Sequence, residues 1–359
     1  MIDRGNWKLY KQYLSYRNEV EQVSVKTIAN EETWLRHFVE WADNSSFLKA
    51  SKIRPTFPNY LLNVHSDSKR KPLSSSYVKK VIRAAYRFFS WLTTHKRGYK
   101  QIGFEYLDTL RTPKQETKPK VREYVSIEEI RKIAQTSVRT TKEKRIRAAA
   151  VFLWLSGMRV SAFASLPLNA VNLYKLEIKQ YPSLGMKTKN NKYGDTTLLK
   201  ISDLLNVVRA WDKEIRSVLP PNGLWFTPLL PSTGEIDFSA TVETLGENRG
   251  RTVTRNLRAW LNENKLPYHS PHKFRHGHAI YVKKHAKSFA DLEALKENLM
   301  HESIQTTDQT YGLFDKNDMK ERLHNLGYSE EINLLEEIPP EDREFVLDLY
   351  RVYKEKQSN

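Results

Sequence analysis

The sequence predicts a mainly α-helical protein with one small β-sheet, organised as two domains and a tail. Three observations predict it. Apolar residues recur at helical spacing through most of the chain. One stretch, Leu176 to Leu199, alternates instead in short β-like runs around a polar Lys-Thr-Lys-Asn-Asn-Lys turn. A polar segment with two prolines, Thr112 to Lys120, parts the first helical region from the second and reads as an extended linker. The 359 residues suffice for two domains with buried cores.

Residues 1–111 make the first domain. Trp34, Leu35, Phe38 and Trp41 fall on one helical stripe. A second helix opens near the Ser74-Ser75-Ser76 cap and turns Val78, Val81, Ile82, Ala85, Phe89 and Leu92 to one side. Its other side carries Lys79, Lys80, Arg83 and Arg87 with no acid between them, a pattern suited to phosphate contact. The same pattern also describes the solvated face of a core helix.

The linker is assigned to 112–123 and the second domain to 124–325. Ser126 caps a helix, with Glu129 at the capping-box position. Arg147 to Ser161 is a largely apolar, buried helix broken at Gly157. Beyond the β-hairpin, helical patterning returns from Arg251; Ser270-Pro271 opens one helix, and Asp291 to Leu299 forms another. The tail, 326–359, holds nine acids and four bases. Past Pro339-Pro340 it repeats Phe345, Leu349 and Val352 on one stripe. Such a helix has two ways to bury that stripe, on its own domain or on a neighbouring protomer.

Charge and composition then restrict the function. Lys and Arg number 59 against 42 Asp and Glu, a net of +17, and +22 without the tail. So one-sided a charge concentrates polyanions, of which nucleic acid is the commonest. Cysteine is absent, which excludes disulfide scaffolds, Cys-based zinc sites, iron–sulfur clusters and thiolate catalysis. His272, His276 and His278 lack a suitably spaced carboxylate or Cys, so neither a metal site nor any other cofactor is predicted. The longest apolar run, Ala148 to Leu155, has eight residues, and Met1-Ile2-Asp3-Arg4 leads into no apolar segment. The expectation is an intracellular, cytoplasmic protein with no membrane partner.

Four blocks carry the chemistry: Leu155-Ser156-Gly157-Met158-Arg159-Val160-Ser161, Ser270-Pro271-His272-Lys273-Phe274-Arg275-His276, Leu299-Met300-His301-Glu302-Ser303-Ile304, and Thr306-Thr307 followed by Thr310-Tyr311. In order and spacing they resemble the motifs of the tyrosine recombinases, the phage-integrase family of site-specific DNA recombinases. Tyr124 to Ile130 resembles the start of that family's catalytic domain, and the whole resemblance spans roughly residues 1–315. It implies a helical, SAM-like core-DNA-binding domain followed by an α+β catalytic domain, closing together on duplex DNA. It further implies a homotetramer acting on two sites, with room for accessory DNA-bending proteins.

The physics agrees with the roles the resemblance implies. Attack on a phosphodiester builds negative charge on the nonbridging oxygens, and two guanidiniums, always ionised and able to donate in a fork, suit that charge. Those are Arg159 and Arg275. Tyr311 would be the nucleophile, and its phenol, with an ordinary pKa near 10, needs help losing a proton. His272, one helical turn from Arg275, would accept that proton or order the phosphate, and His301 would donate to the phosphate. The family's general acid is a hairpin lysine; here the turn spacing favours Lys189 and the strand-end position Lys187.

Three features depart from the pattern. Ala162 stands where the family places an acid, leaving Ser161 and Ser165 as nearby polar groups. Met300 replaces the glycine before His301, and the tail exceeds what a minimal member needs. Two alternatives share the residues: a type IB topoisomerase or telomere resolvase, and a catalytically silent DNA-binding regulator, which Ala162 would suit.

Overall fold

A computed structural model of the protein describes residues 2–63, 73–111, 123–244, 246, 248–301 and positions 339, 344, 345, 347 and 348. Linker residues 112–122, Tyr311 and most of the tail, including Leu349 and Val352, lie outside the described residues. Internal contacts divide the chain into two compact units, Met1–Lys120 and Val121–Asn359. Among the described residues, no helix is long and apolar enough to cross a membrane.

The first unit is helical: α1 (Arg4–Glu19), α2 (Val25–Ala42), α3 (Phe57–Asn63), α4 (Ser75–His95) and α5 (Phe104–Thr109). Leu35, Phe38 and Trp41 of α2 are buried as the stripe predicts, while Trp34 is half-buried. All six apolar positions predicted for α4 are buried, and Ser74 caps that helix by accepting the Tyr77 amide. Phe38 sits among Phe47, Phe57 and Phe89 at ring-centroid distances of 4.8–4.9 Å, an aromatic core that joins α2, α3 and α4.

Beside this core lies a buried carboxylate, Glu31 of α2. It accepts two 2.9 Å bonds from Arg17 of α1 and one of 2.7 Å from Arg87 of α4. Left unpaired, a buried carboxylate would cost several kcal/mol, so these bonds tie three helices together. One consequence bears on the basic face of α4. Lys79, Lys80, Arg83 and Arg87 are all exposed, but Arg87 already shares its guanidinium with Glu31.

The second unit begins with α6 (Ile127–Gln135), whose Ser126–Glu129 capping box forms as expected. Then come α7 (Thr141–Ser156) and the short α8 (Val160–Ala164). Among the described residues a three-stranded antiparallel sheet follows in the order β1 (Val171–Asn172), β2 (Glu177–Gln180), β3 (Gly194–Thr197), so β3 is an edge among them. The helices α9 (Ser202–Arg216), α10 (Arg249–Glu263), α11 (Pro271–His285) and α12 (Phe289–Asn298) complete it. The apolar run explains the arrangement. Every residue of α7 from Ala148 to Ser156 is buried, so the helix needs cover all round, and α6, α9, α10 and α11 supply it.

Where α11 crosses α7, the helices are held very close. Trp154 Nε1 donates to the Val125 carbonyl at 2.9 Å, and the Val125 amide donates to the Lys273 carbonyl at 3.2 Å. Gly277 makes room for this: a Cβ there would lie 1.9 Å from the Val125 oxygen and 2.6 Å from Trp154 Nε1. Backbone rather than a flexible side chain is in the way. Gly277→Ala is therefore expected to lower the unfolding free energy by at least about 1–3 kcal/mol, the usual cost of overpacking. Urea denaturation checks this, and an unchanged midpoint would show that α11 can shift away from Val125.

Candidate active site

The break at Gly157 is what presents the first arginine. α7 ends on Gly157 in the left-handed conformation, φ +61°, and the chain re-enters a helix with Arg159 as the residue before α8. A side chain at Gly157 would strike His278 and Leu299, both within 3 Å of the Cβ position. Arg159 is half-buried. Ala162, in the position that lacks an acid, is buried. Ser165 supplies polar order nearby: its hydroxyl donates to the Ser161 carbonyl at 3.0 Å and accepts the Lys187 amide at 2.8 Å. The end of α8 is thereby tied to the segment that leads into the hairpin turn.

Arg275 lies at the centre, only 3% exposed. Its Nη1 donates to the Gly157 carbonyl at 2.5 Å, and its Nη2 to the Leu299 carbonyl at 2.6 Å and to His301 Nε2 at 2.7 Å. One guanidinium thus joins the end of α7 to the end of α12. A guanidinium only donates, so His301 Nε2 must be the acceptor and its ring proton resides on Nδ1. His272 is exposed one turn before Arg275, its ring 4.4 Å from that of His276.

His301 reaches this place through a Schellman turn. The Met300 amide bonds to the Glu297 carbonyl (2.8 Å) and the His301 amide to the Lys296 carbonyl (3.0 Å), with Met300 at φ +50°. The residue that replaces the expected glycine thus occupies a left-handed position, at a cost of about 1–2 kcal/mol. Its side chain fills the space over Gly194, the first residue of β3. A cleft with Lys192 and Tyr193 on its wall opens beside His301.

The electrostatics draw the predicted residues together. His301 is pulled down to about 4 by burial first and then by the positive charges of Arg275, Arg159, Lys189 and His272. Five predicted site residues therefore share one small region. Lys187 is not among the charges acting on His301, and its strand-end argument does not hold, because β2 ends well before it at Gln180. Lys189 opens a 3₁₀ turn, Lys189–Asn191, between β2 and β3. Tyr311 is the one predicted catalytic residue that lies outside the described residues.

Sequence reasoning missed a second basic surface. Arg251, Arg255 and Arg258 form an exposed stripe on α10, and among the described residues none of them has a carboxylate partner. Arg258 stacks on Tyr268 at 4.4 Å. The spacing of four and three residues was readable, since Glu263 is the only acid on that helix.

Residues 123–317 match the phage integrase family. The chain is similar to the tyrosine recombinase XerC of Haemophilus influenzae strain Rd, with 22% identity over 298 residues, 82% of this chain and 89% of that protein. It is similarly related to XerC of Histophilus somni, 22% identical over 302 residues, 83% and 90% of the two chains. Its fold resembles XerH bound to its difH substrate before cleavage, with a TM-score of 0.54, 17% identity and coverage of 89% and 84%. It also resembles a lambda integrase dimer on a COC′ core site, with a TM-score of 0.57, 14% identity and coverage of 86% and 79%.

The buried histidine behind this cluster yields a pH test. His278 is fully buried, and desolvation pulls it from its ordinary 6.5 to about 4. A histidine depressed in the folded state contributes stability that is complete above pH 6.5 and lost as the pH falls through that window towards 4. His278→Phe should remove a loss of roughly 3 kcal/mol between those pH values, whatever its absolute stability. Urea unfolding across that range measures it; parallel pH profiles would show that His278 does not titrate there.

Proposed function

The chain belongs to the phage integrase family of tyrosine recombinases, which cleave and rejoin DNA strands, and we propose that it does so through a bond between Tyr311 and the 3′ phosphate. The carrying observation is the gathering of Arg159, Lys189 and His272 around a His301 that is itself bonded to Arg275. Three cationic groups, Arg159, Arg275 and Lys189, together with two imidazoles make a strong receptor for a phosphodiester passing through a more highly charged transition state.

The Tyr311 oxygen attacks phosphorus and forms a new P–O bond, while its phenolic proton passes to His272. The bond to the 5′ oxygen breaks, and Lys189 gives that oxygen its proton. Arg159 and Arg275 hold the nonbridging oxygens, and the Nδ1–H of His301 donates to one of them. The resulting 3′-phosphotyrosine conserves the ester's energy, so a 5′-hydroxyl from a second strand reverses the step without a nucleotide. In recombination the second strand belongs to the partner site, which implies two protomers on each of two duplexes, a homotetramer.

Residues 1–111 would hold the core duplex through Lys79, Lys80 and Arg83, with the α10 arginines as a further contact from the catalytic unit. Arg87 serves the fold as well, since Glu31 depends on it.

Two measurements test the reading. On a nicked suicide duplex, Tyr311→Phe should form no covalent adduct while binding the site as wild type does; an undiminished adduct would move the nucleophile to another tyrosine. In salt titrations of binding, Lys79→Ala, Arg83→Ala or Arg255→Ala should each flatten the log–log slope by about one. Arg87→Ala should instead lower thermal stability, by leaving Glu31 short of a partner. An unchanged slope returns the residue in question to plain solvent exposure.

A further inference from the structure

We propose that Asn298 is a positioning residue that keeps the Lys189 hairpin in register with His301. Among the described residues β3 is an edge strand, and the Thr197 peptide turns an N–H and a C=O outward from β2. Asn298 satisfies both: its Oδ1 accepts the Thr197 amide at 2.6 Å and its Nδ2 donates to the Thr197 carbonyl at 3.2 Å. The carboxamide carries one acceptor and one donor at the spacing of a peptide group, so it extends the sheet by one unit.

Its remaining amide hydrogen faces His278 Nε2 at 3.3 Å. The other ring nitrogen, Nδ1, donates to the Trp154 carbonyl at 3.0 Å, which leaves Nε2 an acceptor and settles which way the Asn298 amide is turned. The backbone carbonyl of Asn298 takes a further bond, 3.1 Å, from the Thr196 hydroxyl, itself held by Gln180 of β2 at 2.6 Å. At the other end of the strand Met300 rests on Gly194. The last turn of α12 and the Schellman turn that follows it therefore grip β3 at both ends.

The strand so gripped begins just after the Lys189–Asn191 turn, and the helix that grips it ends just before His301. A slip between them would move the lysine relative to the histidine, and a reacting group displaced by about 1 Å costs on the order of 10²-fold in rate. This inference rests on Lys189 as the proton donor to the leaving 5′ oxygen. It assigns Asn298 no contact with DNA.

The test uses the whole protein and a nicked duplex made in two forms, with an oxygen or a sulfur at the 5′-bridging position. A thiolate leaves without a proton, so the sulfur substrate makes no demand on the lysine. Asn298→Ala and the isosteric Asn298→Asp, which loses both donors, should form adduct roughly 10–100-fold more slowly than wild type on the oxygen substrate, with DNA affinity unchanged. Both should return to the wild-type rate on the sulfur substrate. Equal losses on the two substrates, or no loss on oxygen, would overturn the proposal. If Asn298→Ala fails to fold, Asn298→Asp decides by the same criteria. A wild-type protein that forms no adduct on either substrate would overturn the functional reading, and this inference with it. A wild type that cleaves beside indifferent variants confines the failure to Asn298.

Discussion

The structure around the site depends on one buried guanidinium. Taking an ion of that size out of water costs several kcal/mol even after relaxation. Arg275 offsets that cost through the carbonyls of Gly157 and Leu299 and the ring of His301, all of them uncharged acceptors. A carboxylate in any of those places would stabilise the arginine better but would cancel the charge a phosphate needs. The charge of Arg275 adds to burial, the larger cause, in keeping His301 and His278 neutral.

Three devices in the catalytic unit bring acceptors to that guanidinium. Gly157 turns its carbonyl inward because it ends α7 in a left-handed conformation; the Schellman turn delivers Leu299 and His301 together. Gly277 lets α11 lie close enough to α7 for Arg275 to reach both. The first unit uses a different solution for its own buried charge. Glu31 is enclosed by two arginines rather than by dipoles, as suits a group whose task is to be neutralised.

Much of this was readable from the chain. The stripes on α2 and α4, the Ser126 cap, the break at Gly157 and the single hairpin follow from periodicity and local stereochemistry, which need no partner to be recognised. Arg159, His272, Arg275 and His301 were found through motif order, and together with Lys189 of the hairpin turn they lie in one region. What escaped is tertiary. That Arg87 is bound to Glu31 depends on two helices whose pairing no spacing reveals, and the role of Asn298 depends on which strand is the edge. The choice between Lys187 and Lys189 went unresolved because a loop of that length fixes neither side chain.

The pairing of Met300 with Gly194 has an implication for how such a chain can change. A left-handed methionine is tolerated because its thioether lies where a strand residue has no side chain, and that strand residue stays bare because the methionine is there. Altering one alone leaves either a hole or a collision, so their effects should not add. Two positions far apart in the chain behave as a single unit of variation, and a homologue that regains the glycine before its histidine is thereby free to put a side chain on its edge strand.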